Sequence, residues 1–386
     1  MKVTNPHEEV KDTVLQAGGD ALKSCYQCGF CSAACPWSLI VRFPARFGVR
    51  KLIHEAQIGL LNFKADDMWM CTTCAACAQR CPRGVEMIDI MRALRRVILQ
   101  FGVAKLPESL KVTLGNISRV GNPFGEEPER RADWSEGLSV KPFVEGMDVL
   151  YFPCCYTSYD PRLKKVAQAT AKILNKVGVD FGILGAKEVC CGESVRKAGD
   201  ENLFQSLTRG NINAFVEAGV KKVVTTSPHC YSTFKNEYSK LGGNFEVFHF
   251  SQYLAELIHE GKLKFNKALN KKVSYHDPCY LGRHNNIYDE PRMVLNSIPG
   301  LELVELPSSG KHSLCCGGGG GRVWMETKKG ERFSDLRVEE AQEVKADILA
   351  TCCPYCVATL SDSVLTMGKS DAIEIKDISE LVQEVI

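Results

Sequence analysis

A chain of 386 residues is longer than one hydrophobic core usually supports, so two or three domains are expected. Its 45% hydrophobic and 24% charged residues suit a soluble globular protein, and 48 basic against 46 acidic side chains leave a net charge of +2. That balance excludes a whole-chain electrostatic case for nucleic acid or anionic lipid as partner. Cysteine is the outlier, with 19 copies, and disulfide scaffold, zinc protein and redox-metal protein are the three readings. Met1 to Asp20 is polar, without the apolar core of a secretory signal, and no apolar stretch approaches the roughly 20 residues that span a bilayer. The expected setting is cytoplasmic, peripheral on a membrane only through a partner, with thiols kept reduced for metal or redox duty.

Taken in chain order, the first cysteines are Cys25, Cys28, Cys31 and Cys35 before Pro36, then Cys71, Cys74, Cys77 and Cys81 before Pro82. Both runs space their thiols by two, two and three residues. Three thiolates on one tight loop reach three irons of a 4Fe-4S cubane, while the fourth points away to the other cluster. The expected ligand sets are therefore Cys25, Cys28, Cys31 and Cys81 for one cubane, and Cys71, Cys74, Cys77 and Cys35 for the other. Zinc sites take two separated pairs of ligands, which the doubled run before proline does not resemble. Small residues between the ligands, such as Gly29, Ala33, Thr72 and Ala75, permit backbone amides to approach the sulfurs.

A helix with one apolar side and several arginines is expected over Val85 to Gln100. Gly102 to Met147 is rich in Gly, Pro and charge and reads as a linker that wraps a surface, with a short helix near Leu106 to Ile117. Beyond it, apolar runs at Asp148 to Phe152, Lys222 to Thr226 and Phe245 to Phe250 read as strands. Helical stretches such as Arg162 to Gly178 and Asn202 to Gly219 separate them. Strand and helix in alternation imply a parallel sheet covered by helices.

This pattern occurs twice. One offset of 125 residues relates Cys154 to Cys279, Cys190 to Cys315 and Cys191 to Cys316, and an offset of 126 relates Ser227 and Cys230 to Cys353 and Cys356. In the second copy five thiols of the motif lie on three loops, Cys279, Cys315, Cys316, Cys353 and Cys356. Loops at the ends of parallel strands converge on one site. Five thiols exceed what an ordinary cubane takes, so an expanded or distorted cluster is expected. The first copy has Ser227 in place of one cysteine and carries Cys155 as an unmatched extra thiol.

These motifs resemble the cysteine-rich, or CCG, domain of heterodisulfide reductase, and residues 20–100 resemble that enzyme's two-cluster ferredoxin subunit. The similarity spans nearly the whole chain and matches the fused catalytic subunit that joins both parts. It implies an α+β multi-domain fold: a mainly helical ferredoxin-like domain (1–103), a linker (104–147), a degenerate first CCG repeat (148–270) and a complete second repeat (271–386). It further implies two cubane clusters and a noncubane 4Fe-4S cluster on Cys279, Cys315, Cys316, Cys353 and Cys356, where a disulfide or related sulfur substrate is reduced. In the first repeat, Cys154, Cys190, Cys191 and Cys230 would hold a further cluster, whose type the loss at Ser227 leaves open. The electron donor implied is a membrane cytochrome b or a flavin-containing subunit. The competing reading is a non-catalytic electron conduit between a dehydrogenase and a quinone or cytochrome partner.

Other features admit plainer readings. Gly317 to Gly321 lacks the Lys-Ser/Thr of a phosphate loop, leaving close backbone approach or simple loop flexibility. His229, His276, His284 and His312 lie near the cysteines and are read as structural, and Arg283, Arg322 and Lys311 as solvated surface. Trp69 and Met70, ahead of the second cluster loop, fit a water-excluding shell or ordinary core packing.

Overall fold

The computed structural model describes residues 7–40, 47–63 and 66–386. The chain divides into two compact units, one of Met1–Lys111, Ser194–Phe204 and Gly317–Phe333, the other of Val112–Glu193, Gln205–Cys316 and Ser334–Ile386. Two short segments that sequence places inside the repeats thus belong with the amino-terminal unit.

That unit is helical. Its longest helix, Met87–Phe101, buries Met87, Ile90, Met91, Leu94, Val97 and Ile98 along one side and stops at Gly102, whose φ of +61° suits glycine. The arginines of this helix are used internally. Arg96 donates to the Ala17 carbonyl at 2.9 Å and pairs with Glu201 at 2.7 Å. Arg95, with no exposed surface, donates to the carbonyls of Met68, Cys71, Lys197 and Gly320 at 2.8 to 2.9 Å. One guanidinium therefore ties both returning segments to the second cysteine loop. The glycine run is part of the same join. A Cβ on Gly319 would overlap the Thr72 carbonyl oxygen, and one on Gly320 the Cys71 carbonyl oxygen. Close backbone approach, rather than loop flexibility, is the reason for glycine there.

The other unit contains both repeats. Its strands are β1 (Lys141–Pro142), β2 (Val149–Tyr151), β3 (Phe181–Ile183), β4 (Lys222–Thr225), β5 (Glu246–His249), β6 (Lys272–Tyr275), β7 (Glu302–Leu303), β8 (Ile348–Thr351) and β9 (Glu374–Asp377). They form two all-parallel sheets, β1-β3-β2-β4-β5 and β7-β6-β8-β9. Leu150 lies between Gly182 and Val223, as Val273 lies between Leu303 and Ile348. The central strands are buried throughout, as a parallel sheet with helices on both faces requires.

The two repeats share one core. The last helix, Ile378–Val385, packs on Lys164–Lys176 of the first repeat, and Phe250–His259 packs on Asp289–Asn296 of the second. Tyr151, Leu174, Val224 and Leu254 join Tyr275, Leu295, Ile348 and Leu381 in a single hydrophobic cluster. The segment expected to be a linker is built in as well. It forms a helix, Glu108–Val120, then the 3-10 turns of Pro128–Ser135, which bury Trp134 against Tyr151 with ring centres 5.7 Å apart, then β1. A buried tryptophan and a paired strand give this stretch a fixed path. Among the described residues, no helix is long and apolar enough to cross a membrane.

The glycine approach sets a test. Gly320 has φ +64° and a Cβ overlap, whereas Gly137 has φ +74° and nothing within 4 Å of where a Cβ would lie. Gly137→Ala should therefore show only the left-handed backbone penalty of about 1 kcal/mol. Gly320→Ala should lose at least about 2 kcal/mol in chemical denaturation and shift the EPR spectrum of the reduced protein.

Candidate metal centres

In the amino-terminal unit, Cys25, Cys28, Cys31 and Cys81 line one small cavity, with Val85 and Met87 in its wall. Cys35, Cys71, Cys74 and Cys77 line another, walled by Trp37, Phe47, Val49, Met87 and Ile88. The fourth cysteine of each run thus sits with the first three of the other, and Met87 stands in both walls. The two loops share one backbone shape: Gln27 and Gly29 have φ of 62° and 92°, and their equivalents Thr73 and Ala75 have 51° and 62°. Left-handed residues alternating in a tight loop turn successive amides toward one point, as an anionic cluster requires. The Thr73 amide donates to Cys71 Sγ, and the Val85 amide to Cys81 Sγ, each at 3.4 Å.

The electrostatics fit a positively charged iron core. Burial, followed by repulsion from Cys74, Cys71 and Cys35, pushes the Cys77 thiol well above its ordinary value, and Cys31 is pushed up by burial and then Cys25. Metal relieves both causes, since the thiolate bonds a cation in place of water. The cavities differ in access. Cys28 is exposed, with Tyr26 and Phe30 beside it at 69% and 59% exposure, whereas Cys74 is buried.

In the second repeat Cys279, Cys315, Cys316, Cys353 and Cys356 lie on the loops after β6, β7 and β8, all buried, and the thiols of Cys316 and Cys353 both interact with that of Cys356. The Cys356 and Cys316 thiols are 3.4 Å apart. Two of these loops are fixed by charged groups. Asp277 takes both Nη1 and Nη2 of Arg292, at 2.7 and 3.0 Å, and accepts from the Gly310 amide at 2.8 Å. Arg283 donates to the Ser313 carbonyl at 2.5 Å, so it braces the loop before Cys315 rather than facing water. Arg322, in the other unit, lies over the Trp37 ring at 5.3 Å and likewise departs from the solvated reading.

Two histidines enter this site. His276 is fully buried, and its Nδ1 accepts from Arg337 Nε at 3.1 Å. That bond places the imidazole proton on Nε2, which has no partner and lies with the Cys316 and Cys356 thiols in a group within 4.8 Å of one another. Burial, and then the Arg337 charge, hold His276 well below its ordinary value, so it stays neutral. His229 comes from the first repeat and stacks between Tyr280 and Tyr355, at 4.0 and 4.4 Å. Burial works against its charged form, but Glu193, 3.4 Å from Nδ1, and then Cys353 outweigh it and raise the group to about 10. Cys353 responds in turn: burial opposes its ionisation, while hydrogen bonds from Cys356 and His229 lower it. Of the remaining histidines, His284 stacks on Tyr280 at 4.1 Å and His312 is exposed.

The first repeat brings together Cys154, Cys190, Cys191 and Cys230 in the same way, all buried. Hydrogen bonds from Cys190 and Cys230 lower Cys191 against the effect of burial, and Cys230 is raised by Cys154, Cys191 and burial in that order. Ser227 is spent on backbone: its Oγ caps the following helix by accepting from the Cys230 amide at 3.4 Å. Cys353 stands at the same place in the second repeat, where the Cys356 amide is among the groups that lower its thiol. Sequence reading missed Arg95, Arg131, Arg337 and Tyr280, which reach these sites from 24 or more residues away or carry no metal-ligand signal. The one usable hint was the position of His276 on the strand end that leads into Cys279.

Comparison with known proteins agrees with this layout. A cysteine-rich domain family matches residues 149–235 and 273–361, and a 4Fe-4S dicluster domain family matches 21–85. A component of the dihydromethanophenazine:CoB–CoM heterodisulfide reductase of Methanosarcina barkeri is 33% identical over 396 residues, covering 95% of this chain and 94% of its own length. The EtfAB:quinone oxidoreductase of Syntrophomonas wolfei is 36% identical over 82% of this chain, and the probable iron-sulfur-binding oxidoreductase FadF of Bacillus subtilis is 38% identical over 83%. The chain spans about half the length of these two relatives, 46% and 47%. A hypothetical protein from Helicobacter pylori shares the fold, with a TM-score of 0.52 at 10% identity over 97% of this chain and 76% of that one.

The cavity linings set a test by redox titration monitored by EPR. Cys35→Ser should shift the same midpoint potential as Cys71→Ser, and Cys81→Ser the same one as Cys28→Ser. Pairing within each run would give the opposite pattern.

Proposed function

This chain belongs to the heterodisulfide reductase family of iron–sulfur oxidoreductases that join a dicluster domain to duplicated cysteine-rich domains, and from that premise we propose that it reduces a disulfide or related sulfur substrate at the second repeat. The observation that carries this reading is the set of five buried thiols on the loops after β6, β7 and β8, with Cys353 where the first repeat has Ser227. In this reading two 4Fe-4S cubanes form the wire, on the crossed cysteine sets, and Cys279, Cys315, Cys316, Cys353 and Cys356 hold a noncubane 4Fe-4S cluster. The cluster, when bound, supplies electrons one at a time and an iron to which sulfur can bind.

The side chains do the rest. Cleaving R–S–S–R′ to two thiols consumes two electrons and two protons, and the thiolate formed first needs a cation beside it. His229, held protonated by Glu193, supplies that cation next to Cys353. The Nε2 proton of neutral His276, without a partner in the chain itself, would be available to a sulfur of the bound cluster, and such a bond would raise its potential. Electrons enter at the first cysteine cavity, where Cys28, Tyr26 and Phe30 are exposed, from a cytochrome b or flavin-containing partner. A second reading, a conduit toward quinone without its own sulfur chemistry, is favoured by the quinone named for the S. wolfei relative.

One experiment separates the two. Oxidation of the reduced protein with a candidate thiol present should generate a thiol-dependent paramagnetic species in the EPR spectrum. Cys353→Ser should abolish it and lower disulfide-dependent oxidation of reduced viologen by at least about 100-fold. A spectrum indifferent to thiol in the parent protein leaves only the conduit.

A further inference from the structure

At its cysteine positions the first repeat differs from the second in having Thr226 for Cys352, Ser227 for Cys353 and Cys155 for Tyr280, and Ser227 and Cys155 both lie among the thiols of the first repeat. Cys155 opens the short helix Cys155–Tyr159 that follows directly on Cys154, and it is 6% exposed. Its thiol interacts with that of Cys190, which interacts with Cys191, which interacts with Cys230, which interacts with Cys154. The five thiols are therefore contiguous. They form a string rather than meet at a point: the tight three-donor group among the described residues lies in the second repeat, on His276, Cys316 and Cys356. Such spacing suits a polynuclear cluster rather than a single ion.

A second observation bears on Cys155 alone. Arg131, from the turns of Pro128–Ser135, is 1% exposed and sends Nη1 to Cys155 Sγ at 3.5 Å. Its Nη2 donates to the Pro153 carbonyl at 3.1 Å, and its Nε to Glu188 Oε2 at 2.9 Å. Glu188 is held in turn by the Leu184 amide at 3.0 Å. A buried, inert cysteine packs as a small apolar group and has no use for a guanidinium. Fixed at three corners, this one supplies a cation where a thiolate needs it. Tyr280, at the equivalent place in the second repeat, makes ring contacts with His229 and His284 instead.

We propose that Cys155 is the fifth thiolate ligand of an iron–sulfur cluster in the first repeat, replacing the ligand lost at Ser227, and that Arg131 positions it. The inference rests on the reading that the first repeat binds a cluster, and the experiment separates the two. Iron and acid-labile sulfide are measured on the purified holoprotein together with its Mössbauer spectrum, and the EPR signals of the two cubanes serve as the check that the chain is folded. Cys155→Ser should lose or convert one cluster component, with a fall of up to about four irons per chain. Arg131→Gln should alter the same component, and adding Ser227→Cys to Cys155→Ser should restore the iron. If Cys191→Ser loses iron while Cys155→Ser matches the parent in iron and in spectrum, Cys155 is no ligand and the inference fails alone. If Cys191→Ser also matches the parent, the first repeat holds no cluster and both readings fall.

Discussion

The Arg95 guanidinium, buried without any exposed surface, is the interaction on which the amino-terminal unit depends. Its donors reach carbonyls at positions 68, 71, 197 and 320, so it closes three separate stretches of chain around the second cysteine loop. A buried cation is costly unless its donors are satisfied and negative charge is near. The carbonyl oxygens meet the first requirement. Four thiolates around an iron–sulfur cluster beside Cys71 would meet the second, which couples loading of the site to the packing of Ser194–Phe204 and Gly317–Phe333. The glycines at 319 and 320 follow from the same constraint, since Arg95 draws that backbone onto the cysteine loop until no Cβ fits.

Buried cations recur wherever thiols gather. Arg131 stands against Cys155 with Glu188 as its partner, Arg337 orients His276, and Glu193 keeps His229 charged beside Cys353. Thiolates crowded out of water repel one another, and the surrounding protein must either neutralise them or pass their charge to metal. The arrangement differs between the two repeats. The first relies on a guanidinium held by a carboxylate, the second on two imidazoles, one neutral by virtue of an arginine and one charged by virtue of a glutamate. The thiols of the two repeats are thereby given different electrostatic surroundings.

The duplication has not left two independent domains. Each repeat buries the last helix of the other, and the residues just before the final cysteines, His229 and Tyr355, stack on each other at 4.4 Å. A change near one site is therefore felt at the other. The exchange also explains why the stretch before β1 is structured. Trp134 fills the shared core beside Tyr151, and Pro128–Ser135 brings Arg131 to the first repeat.

What the sequence by itself determined is whatever recurs locally: the two cysteine runs before proline, the 125-residue offset, the alternation of strands and helices, and the apolar side of the helix that begins near Val85. Spacing along a loop or a strand is covalent geometry, so it can be read without knowing what packs against it. The tertiary structure decided the rest, because those choices depend on which distant chain arrives. Composition read 104–147 as a linker, yet a single tryptophan anchors it in the core. The glycine run was compatible with close backbone approach or loop flexibility, and its contact with the Cys71 and Thr72 carbonyls decides for the first. Arginines expected at the surface brace loops and rings, since the carbonyls they serve lie far off in sequence. The two cysteine clusters remain the most legible feature of the chain. The buried guanidiniums beside Cys71 and Cys155, those of Arg95 and Arg131, each come from 24 residues away, and only the folded chain brings them there.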